Sequence, residues 1–333
     1  MIMELQKRNN RGDRGAPAVS VIIPAYNAAR FIGETLDLLF AQTYADYEAI
    51  VINDGSPDTE ELEGVIAPYR ERIVYIKQDN RGVSSARNTG IRAARGRFIA
   101  TLDSDDRWEP DYLAVQVEML ERDPTIDVVS PDAIIFGESP HAGKRYYDIN
   151  PSDGEITFER LVTQQCNVWT GVTARREAVL RAGLFDETLG GAEDFDLWLR
   201  ILKNGGRIVT HRRVLAHFRK RRGSLSSDSV WMFGHVLRVL EKLDATLELT
   251  FSERKALKRQ HRRITAMKRL YEGKKALFLG QIEEATQGLA DANTYFKSRK
   301  IALTLRLIKL SPSLILRAYD MRDRFILKVS TRL

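Results

Sequence analysis

Residues 82–106 read GVSSARNTGIRAARGRFIATLDSDD. The spacing of apolar residues predicts a helix over 82–96 that Gly96 ends. The apolar run 97–102 predicts a buried strand, and three aspartates follow it within four residues. Carboxylates this close repel one another unless a positive partner compensates. The stretch therefore predicts a helix–strand unit that delivers acids to a ligand site.

The same alternation precedes this stretch. Apolar runs predict strands, and helical spacing predicts the segments between them: strands at 19–23, 47–53 and 72–77, and helices at 28–42 and 58–69. Strands that alternate with helices of this length form βαβ units, so we expect an α/β fold with a mostly parallel, doubly wound sheet and flanking helices. Beyond residue 111 the pattern is less regular, with a strand predicted at 127–136 and a helix at 190–206.

Short polar clusters follow each of the first four strands: PAYN (24–27), NDGSPD (53–58), QDNRG (78–82) and DSDD (103–106). Ligands of open α/β sheets bind outside the carboxyl ends of the strands. One polar loop carries little information, but four in series, three of them with aspartate, indicate a binding site at this edge.

Charge divides the chain of 333 residues. Residues 231–333 hold 22 Lys and Arg against 10 Asp and Glu, whereas residues 1–230 hold 30 against 35. We expect three segments: a disordered leader at 1–17, an α/β domain at 18–228 that holds the strand-end site, and a basic helical region at 229–333 with breaks at Gly273, Gly280, Gly288 and 311–313. The excess of cations indicates either an anionic partner or a solvated helical surface.

The single cysteine, Cys166, excludes an intrachain disulfide, and no apolar run is long enough to cross a membrane. The sequence also opens without a secretory signal, so we expect a cytoplasmic protein. No aromatic platform or nucleic-acid-binding module accompanies the basic residues, so we expect no nucleic-acid partner.

The acids after the fourth strand suit a hard divalent cation. Asp103 and Asp105 lie two apart where the chain turns, and Mg²⁺ and Mn²⁺ are commonly held by one or two carboxylates together with substrate phosphates. Neither the His and Cys ligands of zinc nor the loop of an EF-hand is present. The alternative is that Asp103 or Asp106 caps the next helix, and we expect Asp106 to do so. A phosphate-binding GxxxxGK[ST] loop and a GxGxxG turn are both missing from the sequence.

Two longer stretches carry a family resemblance. VSVIIPAYNAARFIGETLDLLFAQTYADYEAIVINDGSPDTE (19–60) and NRGVSSARNTGIRAARGRFIATLDSDDRWEPDYL (80–113) resemble the family 2 glycosyltransferases, which have the GT-A fold. The resemblance covers about residues 18–225. It implies an inverting transfer of a sugar from a nucleotide-diphospho-sugar, with a UDP-sugar favoured, to a hydroxyl of a glycan or glycolipid acceptor in polysaccharide or glycoconjugate synthesis. It also implies Mn²⁺ or Mg²⁺ as cofactor.

The resemblance assigns roles residue by residue. The nucleotide and sugar would be bound by Pro24, Tyr26, Asn27, Asp54, Asn80, Arg81, Arg87, Asn88, Asp103, Ser104 and Asp105, with Asp105 and Asp103 at the metal. Structural roles are the alternatives for three of them: Tyr26 as packing, Asp54 as support for its turn, and Arg87 as a surface charge.

The family's ED motif matches GGAEDFDLW (190–198). The match implies that Asp194 is the base for the acceptor hydroxyl, with Glu193 as the second candidate for that role or as an acceptor-binding group. Helix capping is the alternative for Asp194. Trp198, one turn later, either stacks on an acceptor sugar or packs in the core.

One departure from the family lies in HFRKRRGSLSS (217–227), where Arg221 occupies the usual place of a histidine. A metal or diphosphate contact from that histidine is therefore in question, and Arg219, Arg221 or Arg222 is the alternative diphosphate contact. The apolar residues that alternate with Arg306 and Lys309 either contact a membrane peripherally, at its inner face, or pack against neighbouring helices.

Two other functions compete with the glycosyltransferase. A non-catalytic nucleotide-sugar-binding protein would not need both acidic motifs. A sugar nucleotidyltransferase, the weaker alternative, would carry a glycine-rich basic loop after the first strand, where this chain has PAYNAARFIG (24–33).

Overall fold

A computed structural model describes residues 15–152, 156–221 and 228–311. The chain divides into two compact units, Met1–Arg222 and Gly223–Leu333. Of the predicted leader, residues 1–14 lie outside the described residues. Within the described residues, none of the helices combines the length and the apolar composition needed to span a bilayer.

The first unit is built on one sheet of eight strands. In chain order these are β1 (Val19–Ala25), β2 (Tyr47–Asp54), β3 (Ile73–Gln78), β4 (Phe98–Thr101), β5 (Arg107–Trp108), β6 (Val128–Gly137), β7 (Thr173–Arg175) and β8 (Ile208–Lys220). The order across the sheet is β3-β2-β1-β4-β7-β6-β8-β5. The first four strands are parallel, β7 runs antiparallel to both its neighbours, and β8 pairs parallel to β6 and antiparallel to β5. The expected α/β fold is confirmed.

Helices flank this sheet. They are α1 (Ala29–Phe40), α2 (Thr59–Ile66), α3 (Val83–Ala93), α4 (Tyr112–Arg122), α5 (Tyr146–Ile149), α6 (Phe158–Val162), α7 (Arg176–Arg181) and α8 (Glu193–Lys203), with a 3₁₀ turn at Ala67–Tyr69. Val19, Val21, Ile22 and Ile23 of β1 have no exposed surface, as a strand covered on both faces requires. Because β1 lies between β2 and β4, the carboxyl ends of these strands border the crevice where the strand order reverses.

Gly96 does not end α3, contrary to the prediction. The helix ends at Ala93, and Gly96 follows in the connection to β4. A Cβ atom on Gly96 would lie 2.6 Å from the backbone nitrogen of Ser20, so this glycine is needed for a close approach to β1.

Strand β8 was missed by the sequence analysis because its middle carries exposed charged residues. Near its end, Ala216 and His217 pair with β5, and His217 lies opposite Arg107. This pairing brings the basic stretch that begins at His217 to the loop that contains DSDD.

The second unit contains four helices among its described residues: α9 (Ser229–Thr246), α10 (Phe251–Phe278), α11 (Ile282–Phe296) and α12 (Arg299–Leu310). The break predicted at Gly280 is confirmed, since this residue has φ +74° and lies between α10 and α11. The breaks predicted at Gly273 and Gly288 are wrong, because both glycines lie inside helices. A Cβ atom on Gly288 would lie 2.9 Å from the Cα atom of Gly273, so the pair permits α10 and α11 to pack closely. Helix α12 ends just before Ser311, and the rest of the predicted break at 311–313 lies outside the described residues.

Candidate active site

The loop after β2 is fixed by Asp54, whose side chain is 2% exposed. Its carboxylate accepts hydrogen bonds from Gln78 Nε2 at 2.7 Å and from the backbone N–H groups of Arg81 at 3.0 Å and Gly82 at 2.8 Å. A carboxylate has about four acceptor positions, and groups of the protein occupy three of them here. Asp54 therefore orders the loop that holds the exposed Asn80 and Arg81.

The loop after β1 lies beside the loop after β2. Asn27 has φ +50°, a conformation that asparagine tolerates better than most residues, and its N–H donates to Ser56 Oγ at 2.8 Å. Pro24 is partly buried at the end of β1, and Tyr26 is 45% exposed. The exposed ring of Tyr26 is available to a planar ligand group at this edge of the sheet.

Each aspartate of the DSDD loop has a partner, one from α3 and two from the end of β8 and the residues that follow it. Asp103 Oδ1 accepts from Arg87 Nη2 of α3 at 2.8 Å. Asp105 Oδ2 pairs with Arg221 Nε at 2.9 Å, and Asp106 Oδ1 accepts from the backbone N–H of β8 residue Arg219 at 2.8 Å. Cations and N–H groups of the protein therefore compensate the acids.

Asp106 does not cap the next helix, contrary to the prediction. The residue before α4 is Asp111, and no side chain caps that helix end. Asp106 is buried against β8 instead, and burial raises its pKa well above the usual value, assisted by the charges of Asp103 and Asp105. Its role is to hold the acidic loop to β8.

The compensation at Asp105 is incomplete. Burial raises the pKa of this carboxyl, as does the charge of Asp103, while Arg221 and Arg219 act in the opposite direction. Two neighbouring carboxylates with residual repulsion are a donor set that fits a hard divalent cation. Across the described residues no cluster of three or more His, Cys, Asp or Glu side chains is arranged to hold a metal, so a cation here would need further oxygen ligands from a substrate and water.

Asp194 lies in the first turn of α8, directly after Glu193. Its Oδ2 accepts from Thr170 Oγ1 at 3.0 Å and its Oδ1 from the N–H of Phe195 at 2.7 Å. Burial, followed by the charge of Glu193, raises the pKa of Asp194 to about 6. A positioned carboxylate with a pKa near neutrality is suited to general-base chemistry.

Glu193 has a different environment from Asp194. Its Oε1 accepts from Arg87 Nη1 at 2.6 Å, and the residue is 9% exposed. Because this carboxylate is held in an ion pair, Asp194 is the better candidate for a base. Asp196, the third acid of the turn, is fully buried and pairs with Arg200 at 2.7 Å.

Several predicted site residues face the protein instead of open space. Asn88 is 1% exposed and bonds the backbone of Phe185 and the side chain of Glu187. Ser104 is buried, and its carbonyl accepts from Thr35. Trp198 is 1% exposed, with its ring 6.5 Å from that of Phe185, so it packs in the core and does not present a face to an acceptor sugar.

The basic end of β8 contributes residues that the sequence analysis ranked only as alternatives. Arg219 donates from Nε to the carbonyl of Asp105 at 2.8 Å and from Nη2 to Glu34 at 2.8 Å. His217 bonds Glu109 at 2.7 Å, and Arg222 lies outside the described residues. Thr170, the partner of Asp194, was missed because a single threonine in a loop gives no sequence signal.

Comparisons with known proteins agree with this architecture. The sequence profile of the family described as Glycosyl transferase family 2 matches residues 20–187. An Escherichia coli protein named UDP-Glc:alpha-D-GlcNAc-diphosphoundecaprenol beta-1,3-glucosyltransferase WfgD is 30% identical over 212 residues, which are 63% of this chain and 80% of that protein. An uncharacterized glycosyltransferase of Rickettsia bellii is 33% identical over 196 residues, 56% of this chain. The match spans only 28% of the Rickettsia bellii protein, and between 31% and 59% of its counterparts in four other Rickettsia species.

Solved structures show the same fold at low sequence identity. Staphylococcus aureus TarS 1–349 is similar with a TM-score of 0.61 and 16% identity, over 92% of this chain and 91% of that chain. The mannosyltransferase PcManGT of Pyrobaculum calidifontis, solved with GDP-Man and Mn²⁺, has a TM-score of 0.62 and 19% identity, over 99% of this chain and 92% of that chain.

Proposed function

Because this chain belongs to glycosyl transferase family 2, we propose that it is an inverting, metal-dependent glycosyltransferase. It moves a sugar from a nucleotide-diphospho-sugar to a hydroxyl group of a glycan or lipid-linked glycan. The observation that carries this proposal is the pair of acidic sites at one crevice: Asp103 and Asp105 after β4, and Asp194 at the start of α8, linked through the chain Asp103–Arg87–Glu193.

Asp194 is the base in this reaction. Its carboxylate removes the proton of the acceptor hydroxyl, and the hydroxyl oxygen forms a bond to the anomeric carbon. The bond from that carbon to the diphosphate oxygen breaks, and the electron pair leaves with the nucleoside diphosphate. Attack from the side opposite the diphosphate inverts the anomeric configuration. The bonds from Thr170 and Phe195 fix the carboxylate for this task.

Asp105 and Asp103 are the residues that would hold Mn²⁺ or Mg²⁺. A bound divalent cation supplies charge neutralisation for the diphosphate of the donor. Arg221 and Arg219 meet the acidic loop at Asp105, so these cations are in place to add to that neutralisation. Tyr26, Asp54 and the loop of Asn80 and Arg81 form the proposed nucleoside side of the site.

A UDP-sugar is the favoured donor. TarS has been solved with UDP and with UDP-GlcNAc, and the name of WfgD specifies UDP-Glc. PcManGT, by contrast, was solved with GDP-Man, so the nucleobase needs a direct test. The non-catalytic alternative is disfavoured because Asp194 has the environment of a base, and the nucleotidyltransferase alternative because the loop after β1 lacks the required basic glycine-rich pattern.

The test is release of nucleoside diphosphate from a panel of UDP-, GDP-, dTDP- and CDP-sugars, with Mn²⁺, Mg²⁺ or EDTA. We expect turnover of one donor class, stimulated by metal and abolished in Asp105→Asn. A folded protein that binds a nucleotide-sugar with metal but turns over none of the panel, even with glycan and lipid-linked acceptors, would support the non-catalytic alternative. Formation of pyrophosphate from a nucleoside triphosphate would support the nucleotidyltransferase.

We propose in addition that the enzyme works in the cytoplasm, peripherally at the inner face of the membrane. The support is the outer face of α12, the leucine face, with three exposed residues at positions i, i+4 and i+7: Leu303, Leu307 and Leu310. Ile308 is buried on the other side of the helix, where Ile301 and Leu305 also pack against its neighbours. Leucines exposed beside Lys300 and Arg306 are typical of a helix that lies in the interface of an anionic bilayer.

A further inference from the structure

Arg87 is buried between the two acidic motifs. Its side chain, on helix α3, is 3% exposed. Its Nη2 atom lies 2.8 Å from Asp103 Oδ1, and its Nη1 atom lies 2.6 Å from Glu193 Oε1. The guanidinium carbon also lies 5.4 Å from the centre of the Phe185 ring. This one cation therefore contacts two carboxylates that are far apart in the sequence.

The contacts of Arg87 argue against a direct bond to the nucleotide. Both terminal nitrogens are directed at carboxylates of the protein, and Nε is buried without a hydrogen-bond partner among the described residues. Because the side chain is 3% exposed, little of it is open to a ligand. The resemblance placed Arg87 near the nucleotide or the sugar, and these contacts indicate a different role.

The two carboxylates belong to opposite sides of the proposed reaction. Asp103 lies in the loop that would hold the diphosphate and its cation. Glu193 is the first residue of α8, and the next residue is the proposed base Asp194. A planar guanidinium that bonds both at once fixes their separation and orientation more rigidly than a flexible ammonium would.

We propose that Arg87 is a positioning residue that holds the donor-binding loop and the base at the separation that transfer requires. This inference rests on the proposed function. A displacement of about 1 Å between reacting groups costs on the order of 100-fold in rate, so a shift of α8 relative to the acidic loop would slow transfer. Arg87 itself touches neither substrate.

The first test is Arg87→Lys, with Arg92→Lys as the matched control. Lysine keeps the charge but cannot bond both carboxylates in the same planar geometry. Arg92 lies on the same helix, is 56% exposed and pairs only loosely with Glu187 at 3.4 Å. We expect Arg87→Lys to lower kcat about 10- to 100-fold, while donor KM and the calorimetric affinity for the nucleoside diphosphate stay within about threefold. Arg92→Lys should leave all three unchanged.

The second test approaches the same contact from its other end. Glu193→Gln keeps the size of the side chain and removes its charge, so it should also lower kcat with little effect on nucleotide affinity. Because the two residues act through one contact, the double variant should lose less than the product of the two single losses. If Arg87→Lys does not fold, Glu193→Gln alone still tests the contact.

Three outcomes would overturn the inference. Normal kcat in both variants would show that the contact positions nothing that matters to transfer. An equal loss of nucleotide affinity and kcat in Arg87→Lys would make Arg87 a ligand. Independent effects in the double variant would remove the proposed coupling. Absence of turnover in the unaltered protein would instead overturn the proposed function and, with it, this inference.

Discussion

The two units of the chain use charge in opposite ways. In the first, acids and cations meet inside the protein, as Asp103, Arg87 and Glu193 do. In the second, packing depends on small and apolar residues, such as Gly273 against Gly288, and most cations among its described residues lie at the helix surfaces. Buried charge fixes the geometry of a few reacting groups, whereas surface charge acts at long range on whatever approaches. We therefore expect the first unit to carry the catalytic groups and the second unit to attract an anionic partner.

The largest effect is expected at the base of the first unit. Asp194→Asn keeps the size of the side chain and an acceptor for the N–H of Phe195, but it cannot take up a proton. Transfer should fall 10²- to 10⁴-fold, the usual contribution of a general base, while nucleotide affinity is retained. Steady-state kinetics checks this, with the donor that turnover of the nucleotide-sugar panel identifies. Asp196→Asn is a poor control because Asp196 is buried in an ion pair. Glu177→Gln, at an exposed site on α7, is the better control.

The pH dependence of the same carboxylate gives a second test. Because the pKa of Asp194 is raised to about 6, transfer should increase with pH through about 6, as the base loses its proton. Folding stability should change with pH in the opposite direction. The folded state holds the proton of Asp194 more tightly than the unfolded chain does, so the contribution of this group lowers the free energy of unfolding as pH rises from about 4 to above 6. Asp194→Asn should thus raise the free energy of unfolding at pH 7.5 by on the order of 2 kcal/mol, and by much less at pH 4. Urea unfolding at the two pH values checks it, and a variant less stable at pH 7.5 would contradict it.

The packing of the second unit is the next test. Gly288→Ala places a Cβ atom 2.9 Å from Gly273 Cα, so it should destabilise the unit by about 1–3 kcal/mol, the usual cost of overpacking. Gly234→Ala is the matched control, because this glycine lies inside α9 with nothing within 4 Å of the added atom. There the change should be neutral or stabilising by up to about 1 kcal/mol. If Gly288→Ala instead abolished nucleotide affinity in a folded protein, the assignment of nucleotide binding to the first unit alone would be wrong.

The smallest effect is expected at the leucine face of α12. The double change Leu303→Ser and Leu307→Ser should weaken flotation of the full chain with anionic vesicles several-fold at low salt. Leu180→Ser, at an exposed leucine of the first unit, should not. Equal flotation of all three proteins, or no flotation of the unaltered chain, would remove the membrane proposal.

The sequence was most informative where local patterns determine the structure. Asp54 ends a strand that is apolar on both faces, Asp103 and Asp105 follow another, and parallel strands must bring such ends to one edge. No local sequence pattern predicts the contacts between distant segments. Arg87 and Glu193 are 106 residues apart, and whether an arginine on an amphipathic helix is buried depends on partners that the helix itself does not specify.

Two predictions from the sequence were wrong because they considered local preference alone. Gly273 and Gly288 are weak helix formers, so local propensity favours a break, but the close crossing of α10 and α11 stabilises helix at both positions. Asp106 has the residue type of a cap, but β5 separates it from α4, and its side chain accepts from the backbone N–H of Arg219 on β8 instead. Tertiary partners prevailed over local preference in each case.

The most direct test of the account is calorimetric binding of UDP, GDP, dTDP and CDP to the full chain, each with Mn²⁺, with Mg²⁺ and with EDTA. The account predicts that one nucleotide, with UDP favoured, binds in the presence of metal, and that EDTA or Asp105→Asn removes the binding. Asp111→Asn is the control and should bind normally, because Asp111 is a partly exposed aspartate before α4 whose side chain pairs with Arg213. Absence of binding by the folded protein under every condition would contradict the account, because the acids after β4 would then serve the structure alone.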